Sequence, residues 1–354
     1  MPTSPRHSRQ RLCGVAWKGL EESVSVAGVA SLSSSIISAN SSATNSAAAN
    51  SPAVELHEDA MPTFVPLRMV RPFENQELVG MAHRLFEGKE HAASYWKYRV
   101  SPSSQLIEEI MSFLEKRRGM QFFDLAVDVG CGSGQGTRLL APKFSSVVGT
   151  DISPAQLEMA VEHTTEKNIS YRQCPAEELP FADSSVDLVT AMSAFHWFDR
   201  PLFLQEVYRI LKPKGCLAIL NYTLDMELHY RDCYHRLNTV CKEFYAALQP
   251  YRDPCLGPSS FDSYKQSFHS IPYTDKEWQD CKWVKTAMPL SSYMGMVESF
   301  SSYQALLKKD PEEARRLSID ITQRLLTEMG VTSPETEVFV AVRYFYLLAC
   351  KPEA

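Results

Sequence analysis

A short apolar run, Leu125-Ala-Val-Asp-Val129, leads directly into a loop with glycine at positions 130, 132, 134 and 136. An apolar run of this length that ends in glycines is typical of a buried strand, and the glycines allow a tight turn that lies close to a ligand. The dinucleotide fingerprint Gly-x-Gly-x-x-Gly is not met, because Gln135 or Thr137 stands at its last position. No Gly-Lys-Ser/Thr follows, as a Walker loop requires. The spacing therefore disfavours both a nicotinamide or flavin dinucleotide and a Walker-type nucleotide site.

Strands and helices alternate after residue 100. Apolar runs predict further strands over 147–151, 169–173, 186–190 and 216–220, and helical spacing predicts helices over 135–141 and 202–211. Another helix is expected to begin at Ser101-Pro102, and Ser153 and Gln156 have the spacing of a capping box. This alternation predicts an α/β fold, a doubly wound and mostly parallel sheet with helices on both faces. Ligands of such sheets bind beyond the carboxyl ends of the strands.

The pattern Asp-x-Gly-x-Gly-x-Gly that begins at Asp128 resembles the loop of the class I S-adenosylmethionine-dependent methyltransferases. The resemblance implies a seven-stranded sheet and S-adenosylmethionine as cofactor. Its amino-acid end would pack against Gly130, Gly132 and Gly134, with Asp128 near the ammonium group. Asp151 ends the second predicted strand, where the family places a carboxylate that accepts hydrogen bonds from the ribose hydroxyls.

Later segments continue this resemblance in the same order. Residues 174–187 resemble the family's connection between the third and fourth strands, with Glu177 at the adenine-contact position and Ala176 beside it. Residues 208–219 resemble the segment that leads into the fifth strand, and Ser193, after the fourth strand, is expected to contact the cofactor. Four ordered matches are hard to obtain by chance.

The loop after the fourth strand indicates the acceptor side. It lacks the Asn/Asp-Pro-Pro-aromatic pattern of methyltransferases that act on adenine or glutamine, and its His196-Trp197-Phe-Asp run resembles the subgroup that contains trans-aconitate methyltransferase. That subgroup methylates carboxylates of small molecules. The resemblance implies that His196 and Trp197 shape the methyl-transfer pocket and that Tyr98 and Arg99 match a Tyr-Arg pair of the substrate site.

Alternatives to these roles stay open on the residues alone. Trp197 would also suit a packing aromatic and Arg99 a solvated helix face. A carboxylate oxygen of a small molecule is the expected acceptor. Carbon methylation of a quinone- or sterol-like lipid is one alternative, and a non-catalytic protein that binds the cofactor as a partner subunit is another.

The chain after the fifth strand predicts a cap and the end of the sheet. Two further strands are expected over 283–290 and 337–348, with helices over 292–309 and 311–329. The aromatic-rich insert 230–280 is expected to cover part of the acceptor pocket. These elements complete one methyltransferase domain over 81–354, with its core in 101–222 and the cap insert and last two strands in 223–354.

The first 80 residues differ from this domain. No charged residue occurs between Ser23 and Val54, and the stretch is rich in Ser, Ala and Asn. Such a composition predicts a disordered N-terminal leader over 1–80. Its basic start would suit a mitochondrial import signal, although a cytoplasmic location is favoured.

Composition excludes several function classes. The net charge of −6 disfavours a nucleic-acid partner, and the sequence has no apolar run long enough for stable membrane insertion. The nine cysteines form no Cys-x-x-Cys pair, so no metal site is predicted. Nothing in the pattern predicts an oligomeric state.

Overall fold

The computed structural model describes residues 88–99, 101–224, 226–256 and 260–353, so the predicted leader lies outside the described residues. One mixed sheet organises this part of the chain. Its strands are β1 Phe123–Val129, β2 Phe144–Asp151, β3 Ile169–Gln173, β4 Val186–Met192, β5 Leu211–Tyr222, β6 Glu227–His229, β7 Lys276–Pro289 and β8 Glu337–Cys350. Strands β1 to β5 are parallel in the order β3-β2-β1-β4-β5, and β8 then runs antiparallel to β5.

The predicted seven strands are eight in the described residues. The additional strand is β6, which has three residues. It exists because β5 pairs only with the second half of β8, Tyr344–Cys350, which leaves the first half of that edge to β6. Strand β7 pairs with β8 as well. The predicted parallel core is confirmed.

Helices cover both faces of the sheet. They are α1 Lys89–Tyr98, α2 Ser104–Arg118, α3 Gln135–Leu140, α4 Pro154–Glu162, α5 Arg200–Ile210, α6 Tyr234–Leu248, α7 Ser260–Ser270, α8 Leu290–Glu298, α9 Ser301–Lys309 and α10 Pro311–Met329. Alternate residues of a strand point to opposite faces. Ala126 accordingly packs in one core with Leu188, and Val127 packs in the other with Val189.

Helix boundaries confirm some predictions and correct two. Ser153 caps α4 and accepts a hydrogen bond from the Gln156 N–H, as the capping box predicts. The first predicted helix starts later than Ser101-Pro102, because Ser103 is the residue whose hydroxyl caps α2. The single helix predicted over 292–309 is two helices, since Phe300 adopts an extended conformation and lies buried between them.

None of the helices in the described part of the chain has the length and apolarity needed to cross a membrane.

Candidate active site

A cleft of about 570 Å³ lies beyond the carboxyl ends of the parallel strands. Residues at or after the ends of β1, β2, β3, β4 and β5 line it, as do residues far away in the sequence, namely Arg252, Leu256, Ser260 and 300–302. The edge of the sheet that the doubly wound fold predicts for a ligand is therefore where the cleft forms.

The glycine loop brings backbone to the edge of this cleft. Gly130 has φ +67, and a Cβ at this position would lie 2.5 Å from the Cβ of Ala194. Gly134 has φ +77, and a Cβ there would collide with the Tyr171 hydroxyl. The N–H of Gly132 donates to Oδ2 of Asp151 at 2.8 Å. The glycines thus let the loop pack closely against Ala194 and Tyr171 while Gly130 and Gly132 line the cleft, and we call this loop the glycine cradle.

Asp151 ends β2 and lines the cleft, as the sequence predicts. Besides the Gly132 N–H, it accepts the Ser153 N–H on Oδ1 at 2.9 Å. Burial raises the pKa of this carboxyl, and the backbone donors act in the opposite direction. A carboxylate oxygen accepts more than one hydrogen bond. The two backbone hydrogen bonds therefore hold the Asp151 carboxylate in place. Its oxygens can still accept hydrogen bonds from two neighbouring hydroxyls of a ligand.

Asp128 lies beneath the loop and is buried. Its Oδ2 accepts the Thr137 hydroxyl at 2.6 Å and its Oδ1 accepts the Thr190 hydroxyl at 2.7 Å. Burial raises its pKa to about 6, against the effect of the two hydroxyls. It borders a smaller recess that continues from the cleft past Gly130 and Ser193. The deprotonated Asp128 carboxylate is therefore placed to bind a cationic group at the end of the cleft where this recess begins.

The other predicted cofactor residues also line the cleft. Ala176 and Glu177 follow β3, and Oε1 of Glu177 accepts the Asp199 N–H at 2.7 Å. Ser193 has φ +60, a conformation that costs a non-glycine residue energy and clusters at functional sites. Its N–H donates to the Leu220 carbonyl at 2.8 Å, which ties this strained residue to β5.

His196 and Trp197 lie side by side in a short 3₁₀ turn, Phe195–Trp197, and both line the cleft. Their ring centroids are 4.9 Å apart. Nδ1 of His196 is 2.9 Å from the hydroxyl oxygen of Tyr264, a residue of α7. Burial lowers the pKa of His196 to about 3, and nearby arginine charges act in the same direction. The imidazole is therefore neutral at physiological pH.

The structure separates the predicted pair Tyr98 and Arg99. Arg99 lines the cleft, donates to the Tyr222 hydroxyl, and has its Cζ 5.0 Å from the centroid of the Phe300 ring. The Tyr98 ring instead packs on α8, where a Cβ on Gly295 would lie 2.6 Å from its Cγ. Successive residues at the end of a helix point in different directions. Tyr98 is thus not among the residues that line the cleft, and of the pair only Arg99 has a position suited to a substrate contact.

Several residues of the cleft had no signal in the sequence. Tyr222 ends β5, Arg252 lies in the predicted insert, and Phe300 separates α8 from α9. Of the insert 230–280, which is expected to cover part of the acceptor pocket, Arg252, Leu256 and Ser260 line this cleft. No spacing rule links these positions, because each reaches the cleft from a separate turn.

No group of three or more His, Cys, Asp or Glu side chains suited to a metal ion occurs within the described ranges.

Comparison with known proteins agrees with this geometry. A family profile described as "Methyltransferase domain" matches residues 127–219. A Dictyostelium discoideum protein named as a methyltransferase is 29% identical over 265 residues, which cover 73% of this chain and 92% of that protein. A Saccharomyces cerevisiae protein named as an S-adenosylmethionine-dependent methyltransferase is 35% identical over 136 residues, which cover 37% of this chain and 45% of that protein. This chain is therefore matched to nearly all of the first relative and to less than half of the second.

A solved structure shows the same fold. It comes from Anaeromyxobacter dehalogenans, is described as a type II methyltransferase, and matches with a TM-score of 0.57 at 22% identity over 72% of this chain and 100% of that one. The profile match and the named relatives support an S-adenosylmethionine-dependent methyltransferase, with its methyltransferase domain over residues 127–219. The glycine cradle at Gly130 and the held carboxylate of Asp151 fit S-adenosylmethionine as its cofactor.

Proposed function

We propose that this methyltransferase transfers the methyl group to a carboxylate oxygen of a small molecule, as its resemblance to the trans-aconitate methyltransferase subgroup implies. The observation that carries the proposal is the separation of charge along the cleft. Three acids, Asp151, Glu177 and Glu178, line it after β2 and β3, and Asp199 lines it just after Trp197. The cations Arg99 and Arg252 line it near His196, where their charges lower the pKa of that ring. An anion suits the second end better than the first.

Arg252 is the more informative of the two cations. It lies two residues before the 3₁₀ turn Pro254–Leu256, which contacts the turn that carries His196 and Trp197. Its Nε is buried and has no hydrogen-bond partner among the described residues. A buried N–H donor without a partner is costly, and a guanidinium matches a carboxylate in shape. These features support an anionic acceptor that binds to Arg252.

The main task of the protein in this reaction is to orient the acceptor oxygen and the methyl group. S-adenosylmethionine supplies, when bound, an electrophilic methyl group. The residues near His196 would hold the acceptor oxygen in line with it and exclude water, and orientation of this kind is worth up to about 7–11 kcal/mol. Asp151 and Glu177 would hold the ribose and adenine end, and Asp128 the ammonium end. A carboxylate is already deprotonated at neutral pH, so this acceptor needs no general base.

The proposed acceptors are metabolites of the cytoplasm, the location that the sequence composition favours. Neither nucleic acid nor membrane lipid is part of this proposal.

A matched set of acceptors tests the proposal. Purified protein is incubated with S-adenosylmethionine and with a carboxylic acid, its primary amide or the corresponding alcohol, and products are identified by mass spectrometry. We expect a methyl ester from the acid alone. Methylation of a carbon atom, as in a quinone, or of the alcohol would contradict the proposal. Tight cofactor binding without transfer to any acceptor would favour the non-catalytic alternative.

Arg252→Gln sharpens the same experiment. Loss of a hydrogen bond to a charged group costs about 1.5–3 kcal/mol, so we expect the KM for the acid to rise about 10- to 150-fold with cofactor affinity unchanged. Arg315→Gln is the control, since Arg315 is an exposed residue of α10 that pairs with Glu312. Equal KM values for the two variants would remove Arg252 from the acceptor site.

A further inference from the structure

The contact between His196 and Tyr264 joins the cleft to the buried core. Tyr264 is fully buried, with its ring centroid 5.2 Å from that of Phe195 and 5.3 Å from that of Phe345. Both contacts are edge-on, an arrangement that aromatic pairs prefer. Tyr264 itself does not line the cleft, and its hydroxyl contacts Nδ1 of His196 from the side of the buried core. The phenol therefore holds the imidazole from the core side.

The acidities of the two groups decide the direction of this hydrogen bond. Nδ1 of His196 and the Tyr264 hydroxyl oxygen are 2.9 Å apart. A phenol, with an ordinary pKa of about 10, is a stronger donor than the N–H of a neutral imidazole, and the unprotonated imidazole nitrogen is the better acceptor. Tyr264 therefore donates its proton to Nδ1 of His196.

An imidazole that accepts on Nδ1 carries its own proton on Nε2. No described residue is bonded to Nε2, and His196 lines the cleft. The charged groups that act on the ring come from several elements. They are Arg200 of α5, Arg99 after α1, and Arg252 with Asp253 before the turn Pro254–Leu256, and only Asp253 favours the protonated ring. Since the ring is neutral, it presents one N–H donor to the cleft.

We propose that Tyr264 is a positioning residue that holds His196 as a neutral Nε2–H donor, so that the site takes acceptors that are already anionic and not those that must first lose a proton. This inference rests on the proposed function. In the reaction the acceptor oxygen forms a bond to the methyl carbon as the carbon–sulfur bond breaks, and the electron pair stays on sulfur. A carboxylate then gives a neutral ester without releasing a proton. A hydroxyl acceptor would have to give its proton to a base, and an Nε2–H donor is not one.

The first test reads the tautomer directly. In protein labelled with ¹⁵N-histidine, the ring of His196 is assigned by comparison with His196→Gln, and its two nitrogen shifts are followed from pH 5 to pH 8. We expect a protonated Nε2 and an unprotonated Nδ1 throughout. In Tyr264→Phe the preference should be lost and both tautomers should appear. A proton on Nδ1 in the wild type would overturn the inference, whether or not any acceptor is methylated.

The second test reads turnover. Tyr264→Phe should lower kcat/KM for a carboxylic acid about 10-fold while leaving the affinity for S-adenosylmethionine unchanged. Tyr273→Phe is the matched control, because Tyr273 is a buried tyrosine of the same core that does not line the cleft. If the two variants behave alike, Tyr264 has only a packing role. If acids are methylated and Nδ1 carries the proton, the proposed function stands and this inference fails.

Discussion

The two ends of the cleft are built in different ways. At the cofactor end, the site is formed mainly by backbone, because Gly130 and Ser193 have positive φ and the Gly132 N–H donates to the Asp151 carboxylate. At the proposed acceptor end, side chains from separate elements converge, and Arg252 and Tyr264 reach His196 from a part of the chain more than 50 residues away. The first end is a local motif, and the second is a product of the whole fold.

This difference has a functional consequence. A backbone cradle tolerates little change, because a Cβ or an altered φ moves the loop itself. A cluster of side chains on a cap can exchange one member without disturbing the cradle. The cofactor end is thus suited to a constant ligand and the acceptor end to a specific one.

The largest effect is expected from a substitution that disrupts the glycine cradle. Gly130→Ala adds a Cβ 2.5 Å from that of Ala194 at φ +67. Gly330→Ala is a matched control, because Gly330 has φ +66 and no atom within 4 Å of its Cβ position. The free energy of unfolding of the control should fall by about 1–2 kcal/mol, which is the cost of the left-handed conformation for alanine. Gly130→Ala should lose at least about 1–3 kcal/mol more through overpacking, together with cofactor binding. Denaturant unfolding and calorimetry measure both, and equal losses would contradict the cradle.

The next effect removes the carboxylate that the cradle holds. Asp151→Ala should weaken S-adenosylmethionine binding about 10- to 150-fold, the cost of about 1.5–3 kcal/mol for hydrogen bonds to a charged group. Asp124→Ala, at an exposed carboxylate of β1, is the control. Titration calorimetry distinguishes the two. Unchanged affinity in Asp151→Ala would remove this residue from the cofactor site.

A third prediction concerns stability at the acceptor end. The pKa of His196 is about 3 in the folded chain, below its ordinary value of about 6.5. Between these values the unfolded chain binds the extra proton, so stability is full above pH 6.5 and falls as the pH drops. The slope approaches about 1.4 kcal/mol per pH unit. His196→Gln should show a shallower fall when denaturant unfolding is measured at pH 5, 6 and 7. An identical slope would mean that the imidazole is not held neutral.

The smallest expected effect is the release of a fraction of a proton when the cofactor binds. The pKa of Asp128 is about 6, so about half of the carboxyl is protonated at pH 6. An ammonium group beside it favours the charged form, so cofactor binding at pH 6 should release up to about half a proton. Calorimetry in buffers of different ionisation enthalpy measures this release. Asp128→Asn should abolish it, and a release that persists in this variant would have another source.

The parts of the molecule that could be predicted are those with local rules. Strand β3 and helix α10 have their predicted bounds, and Asp151 lies where the end of a second parallel strand must bring it. The break at Phe300 could not be predicted, because helical spacing continues across it and tertiary packing imposes the extended residue. The short strand β6 likewise depends on an edge that β5 leaves open.

The acceptor end followed no such rule. The Tyr-Arg pair at 98–99 was expected to act together, and the helical turn sends Tyr98 to Gly295 and leaves Arg99 at the cleft. Arg252 and Tyr264 belong to an insert whose sequence has no motif. They stand out only because the buried Nε of Arg252 has no partner in the described part of the chain and the Tyr264 hydroxyl lies next to Nδ1 of His196.

The chemical nature of the transferred methyl group tests the central claim most directly. The protein is incubated with S-adenosylmethionine labelled in its methyl group and with a metabolite extract, and the labelled products are treated with mild alkali. Methyl esters hydrolyse under these conditions, whereas methyl groups on carbon, nitrogen or ether oxygen stay attached. The account predicts that the label is released as methanol and that Arg252→Gln forms much less of it. Label that stays attached to the product after alkali would contradict carboxylate methylation.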